Sequence, residues 1–79
     1  MNNELFRARI IELRERQHKS RVVVSELCGL PSDSFRRYER GEAVPTVESM
    51  LLIAKYFGVS MDYLTGRTSE RGHFEDRFD

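Results

Sequence analysis

Apolar residues along this chain recur at helical spacing, and no two-residue alternation of the kind that marks a strand is sustained. Leu5, Phe6, Ile10 and Leu13 fall at that spacing with Glu12, Arg14, Glu15 and Arg16 between them, which predicts a first helix over about residues 3–17. Val24 and Cys28 are the inward positions of a second helix, Arg21 to Cys28. Val47, Met50, Leu51, Ala54 and Phe57 form the apolar stripe of a fourth, and Met61 to Leu64 is a short last helix. Between the second and fourth lies a basic segment, about residues 32–40, with Phe35 as its anchor from beneath.

The punctuation fits these elements. Ser20, Thr46 and Ser60 stand where a hydroxyl can accept a free amide of the first turn. Gly29, Gly41, Gly58 and Gly66 stand where helices end, and Pro31 is harmless in a first turn because it has no amide to lose. The run Val22-Val23-Val24 is β-branched and a poor intrinsic helix former, so tertiary packing must hold the second helix. Five short helices with brief connections imply an all-α domain.

Length and composition narrow the picture. Seventy-nine residues allow one small domain with a modest core. No apolar run approaches the ~20 residues of a membrane helix, and MNNELFRARI contains no signal-peptide core. The single cysteine, Cys28, excludes an internal disulfide framework and suits a reducing cytoplasm. With His18 and His73 isolated, no metal-site spacing exists, and neither a cofactor nor a small-molecule ligand is indicated. A P-loop, paired catalytic carboxylates, a nucleophile elbow and a local triad are all missing, so an enzyme is disfavoured. Net charge is zero, but residues 1–40 hold nine Lys/Arg against six Asp/Glu and residues 41–79 hold four against seven. That division suggests one basic face and an acidic end, with weaker non-specific affinity for nucleic acid than a strongly basic module would have.

The segment GLPSDSFRRYERG, Gly29 to Gly41, is the most informative stretch. Phe35 would hold its helix from below while Ser32, Asp33, Arg36, Arg37 and Arg40 point elsewhere, an arrangement suited to a polar partner such as DNA. The second helix, the Gly29 turn and the third helix have helix-turn-helix spacing. With Leu13-Arg14, Ser20, Leu30-Pro31, Tyr38-Glu39-Arg40-Gly41, Pro45 and the ending GVSMDYLTG, the chain resembles the Cro/C1, or xenobiotic-response-element, class of bacterial and phage regulators over about residues 4–66.

The resemblance implies a lambda-repressor-like five-helix DNA-binding domain over 1–66, a tail over 67–79, and a third helix that reads bases in the major groove. Ser32, Asp33 and Arg37 match positions that face base edges, with Arg36 beside them. Arg37 suits guanine O6/N7, at about 1–3 kcal/mol of discrimination. Asp33 has two readings, acceptance from cytosine N4 or a first-turn acid favoured by the helix dipole. Arg21 matches a phosphate contact that is most often Gln in the family, and Ser20 begins the same helix. Arg40 matches the second phosphate-contacting region or else is a plain surface charge; Glu42 in the loop behind it weakens that clamp. Arg14 and Glu39 match a partly buried salt bridge that fixes the recognition helix.

Departures from the family pattern are His18-Lys19 in place of Gly-Leu and Ser25 in place of Ala. The Ser25 hydroxyl is expected to bond back within its own helix. The implied function is sequence-specific binding of double-stranded DNA by a small cytoplasmic regulator, a repressor, acting as a homodimer through Met61, Tyr63 and Leu64. The competing reading is a protein-interaction or antitoxin module that keeps the fold with weak or no DNA binding; zero net charge, Asp33 and Glu42 favour it, and Arg21, Arg36, Arg37 and Arg40 oppose it. For the tail, fraying is expected first, ahead of an apolar Phe74–Phe78 pair on a partner copy or folded back on the domain.

Overall fold

Side-chain caps set where the helices begin. The computed structural model describes residues 2–74, and within them Asn2, Ser20, Thr46 and Ser60 each accept a backbone N–H three residues on, at 3.0–3.1 Å. The helices they start are α1 (Asn3–Arg16), α2 (Arg21–Cys28), α4 (Val47–Phe57) and α5 (Met61–Thr65). A fifth, α3 (Ser34–Glu39), begins without a cap from its own N-cap residue, Asp33. The order is all-α, and no strand occurs among the described residues.

α3 is shorter than the 32–40 expected. Pro31, Ser32 and Asp33 form a turn closed by Ser34 N–H on the Pro31 carbonyl at 3.0 Å, and the helix starts only after it. The Ser25 hydroxyl explains the start point. It accepts Phe35 N–H at 3.0 Å, so a residue of α2 satisfies one of the free amides at the beginning of α3. This corrects the expectation that Ser25 bonds within its own helix.

The core is one cluster with a contribution from every helix. Phe6, Ile10 and Leu13 of α1 meet Val24 and Cys28 of α2, Phe35 and Tyr38 of α3, and Leu64 of α5. Phe6 and Tyr38 stack edge to face at 6.0 Å between ring centroids. On α4 the inward row is Met50, Ile53, Ala54 and Phe57, not the stripe that included Val47 and Leu51. α4 packs on both α2 and α5, which turns that row inward; Val47, at the overhanging first turn, is 71% exposed.

α5 also departs from expectation. Tyr63 and Leu64 are buried in the domain's own core, and the Arg9 guanidinium lies 4.2 Å from the centre of the Tyr63 ring. Arg9 also donates to the Tyr63 carbonyl. Of the three residues expected to face a partner copy, only Met61 is not fully buried.

The tail to Phe74 lies against the domain. Ser60 N–H donates to the Arg71 carbonyl at 2.8 Å, Arg71 pairs with Glu12 of α1 at 2.8 Å, and Phe74 packs on the core's edge. Phe78 lies outside the described residues.

Candidate nucleic-acid interface

The two helices around Gly29 are locked together by backbone geometry and one buried hydroxyl. Gly29 takes a left-handed φ of +84°, which lets Leu30 N–H reach the Ser25 carbonyl at 2.9 Å and places Leu30 in the core. After the Pro31–Asp33 turn, Ser25 catches the start of α3 and Phe35 sinks fully into the core. A six-residue helix is too short to persist alone. Its packing on α2 and α1 is what makes it a rigid platform.

The far end of α3 is pinned by two arginines of α1. Arg14 and Glu39 form a two-pronged pair, Nε–Oε2 at 2.7 Å and Nη2–Oε1 at 3.0 Å. The two side chains are only 15% and 6% exposed, so this is a partly buried pair and not a surface one. The hydrogen bond to Glu39 raises the Arg14 guanidinium above its ordinary value, with burial opposing. The third nitrogen of Arg14 donates to the Lys19 carbonyl at 3.0 Å, tying in the α1–α2 connection just before the Ser20 cap. Arg7 donates twice to the Glu39 carbonyl, from Nε at 3.0 Å and Nη2 at 2.8 Å, and so caps the C-terminal end of α3. A Cβ at Gly41, where φ is +74°, would come within 3.3 Å of the Arg7 guanidinium, so a glycine there accommodates Arg7 as well as the turn.

Sequence reasoning missed Arg7 and the role of Ser25. Arg7 is one arginine among several on α1, and nothing in its spacing marks it. Ser25 carried a signal, a hydroxyl in place of the family's usual Ala, but its acceptor role depends on where α3 starts.

The residues expected to contact DNA divide into two groups. Arg37 on α3 and Arg21 at the first position of α2 are exposed and have no ion-pair partner among the described residues. Ser32 and Asp33 are exposed in the turn that precedes α3. Ser20 uses its oxygen to cap Val23 N–H at 3.1 Å, which leaves its hydroxyl proton for an outside acceptor. Arg36 and Arg40 are exposed but engaged. Arg36 lies 3.7 Å from Asp33 and 3.8 Å from Glu42, and Arg40 Nε lies 2.9 Å from Glu42.

Elsewhere the described residues contain no group of three or more His, Cys, Asp or Glu side chains arranged to hold a metal ion. No helix among them is long and apolar enough to cross a membrane. Cys28 is buried, and loss of hydration pushes its thiol from 9.0 up to about 12.

A helix-turn-helix family model matches residues 10–64. The chain is 31% identical over 62 residues to the cryptic phage CTXphi transcriptional repressor RstR of Vibrio cholerae serotype O1, covering 78% of this chain and 55% of that one. It is 29% identical over 63 residues to the HTH-type transcriptional regulator AnsR of Bacillus subtilis, covering 80% of this chain and 54% of that one. The chain therefore spans about half the length of these curated relatives. No solved structure matches it significantly.

Proposed function

The chain belongs to the Cro/C1-type helix-turn-helix family of transcriptional regulators, and from that premise we propose that it binds double-stranded DNA sequence-specifically and acts as a repressor. The observation that carries this reading is the state of α3: fastened below by Ser25 and Phe35, pinned at its end by Arg7 and Arg14, and holding Arg37 exposed with no ion-pair partner among the described residues. A helix already fixed in place need not be ordered on binding, so the ordering cost falls on the Arg37 side chain alone.

In this reading α3 enters the major groove, with Arg37 on guanine and Ser32, Asp33 and Arg36 near neighbouring base edges. Arg21, the Ser20 hydroxyl and Arg40 hold phosphates on either side and set the register. The chemistry is binding alone, carried out in the cytoplasm. A homodimer on a two-fold site would place half-sites about 34 Å apart. The domain measures 33 × 23 × 22 Å, so two copies fit side by side at that spacing.

The second reading, a protein-interaction or antitoxin module, draws support from Arg36 and Arg40, both paired internally with carboxylates. Titration of a random-sequence duplex across a salt series separates the two. DNA binding predicts that log affinity falls linearly with log salt, at about 0.9 per phosphate neutralised. A folded protein with no salt-dependent binding would favour the interaction module.

A further inference from the structure

We propose that Glu42 is an intramolecular stand-in for a phosphate: it occupies Arg40 and faces Arg36 in the free protein, and so restrains non-specific attraction to the DNA backbone. The inference rests on the DNA-binding reading and deepens it by adding a residue that sets how strongly the charged rim of α3 responds to any duplex.

The geometry begins with the backbone. Glu42 N–H donates to the Arg37 carbonyl at 2.8 Å, closing the last turn of α3. Gly41 turns the chain with its left-handed φ, and Arg7 packs behind it on the Glu39 carbonyl. Glu42 is thereby held beside the end of the recognition helix and does not belong to a free loop.

From that position its two oxygens serve two arginines. Oε2 lies 2.9 Å from Arg40 Nε and Oε1 lies 3.8 Å from Arg36 Nη1. A carboxylate and a phosphodiester each present two oxygens sharing one negative charge, and a guanidinium binds either in the same way. Asp33, 3.7 Å from Arg36 on its other side, extends the row. Two arginines and two acids thus alternate along the rim of α3 with no net charge, while Arg21 and Arg37 have no ion-pair partner among the described residues.

A phosphate that approaches Arg40 meets the Glu42 carboxylate already beside Nε, and that negative charge stays within a few ångströms of the incoming one. Non-specific binding is almost wholly electrostatic, so this opposition bears on it directly. An exposed pair of this kind adds little to stability. Replacing Glu42 therefore leaves the fold intact and changes only the field that a duplex meets.

The test compares the wild-type protein, Glu42→Gln and Glu70→Gln for binding to a random-sequence duplex over a salt series. Glu70→Gln makes the same change in net charge on the exposed tail. Glu42→Gln is expected to bind on the order of tenfold more tightly at low salt, with a salt slope steeper by about 0.9, while Glu70→Gln stays near wild type. Equal effects from the two variants would show that net charge alone matters and overturn the proposal. An unchanged slope in Glu42→Gln, with all three proteins binding, would also overturn it while leaving the DNA-binding reading intact. Failure of all three to bind would remove that reading and this inference with it.

Discussion

Glu39 contributes most to the shape of the proposed interface without being placed on the DNA itself. Its carboxylate takes two bonds from Arg14, and its carbonyl takes two more from Arg7, so α1 grips α3 through a single residue. Replacing Glu39 with Ala would leave the partly buried Arg14 charge without its partner. We expect Glu39→Ala to cost about 1.5–3 kcal/mol, read as a lower denaturant midpoint at unchanged slope. The exposed Glu12–Arg16 pair at 3.7 Å is the contrast, and its removal at Arg16 should be almost silent. A small loss in Glu39→Ala would mean that the pair is not what positions α3. The Arg14–Glu39 pairing was inferable from two matched positions on the chain. Arg7 was not, because its partner is a backbone carbonyl that becomes available only once α3 ends where it does.

At the scale of elements, local chemistry marked the helix starts and stops well. α2 runs from Arg21 to Cys28 as its Ser20 cap and Gly29 stop indicate, and α4 starts after Thr46. Two readings failed where an element's position depends on its neighbours. α3 starts two residues late because the Pro31–Asp33 turn precedes it and one of its first amides is satisfied from α2, and α4 is rotated because it packs on two helices at once. The end of α1 shows a local departure that the structure absorbs. His18 stands where the family often has Gly, and it adopts the left-handed φ of +55° that glycine would take without strain. For an ordinary residue that conformation costs roughly 1–2 kcal/mol, partly offset by the greater freedom of glycine in the unfolded chain. His18→Gly should therefore stabilise the protein by about 0.5–1 kcal/mol, measured by urea denaturation. Destabilisation would show that the His18 side chain makes up for its own strain.

The molecule as a whole folds around one small core, so a single buried group can govern its response to alkali. Cys28 keeps its proton up to about pH 12 when folded, against an ordinary value of 9.0. Stability is undiminished by this group below pH 9, where both states hold the proton. It falls as pH rises from there towards 12, because the unfolded chain releases a proton that the folded one retains, at up to about 1.4 kcal/mol per pH unit. Denaturant midpoints of wild type and Cys28→Ala should converge between pH 9 and pH 11, since the variant lacks this slope; parallel curves would contradict it. The central claim is that a helix fixed by α1 and α2 reads DNA through Arg37. Its most direct test is selection of bound duplexes from a randomised library at near-physiological salt, using wild type and Arg37→Ala side by side. Wild type should enrich a motif with two-fold symmetry, and Arg37→Ala should lose preference at one base pair per half-site while keeping the others, a loss of about 1–3 kcal/mol in discrimination. No enrichment by the folded wild-type protein, or the same motif from both proteins, would contradict the claim.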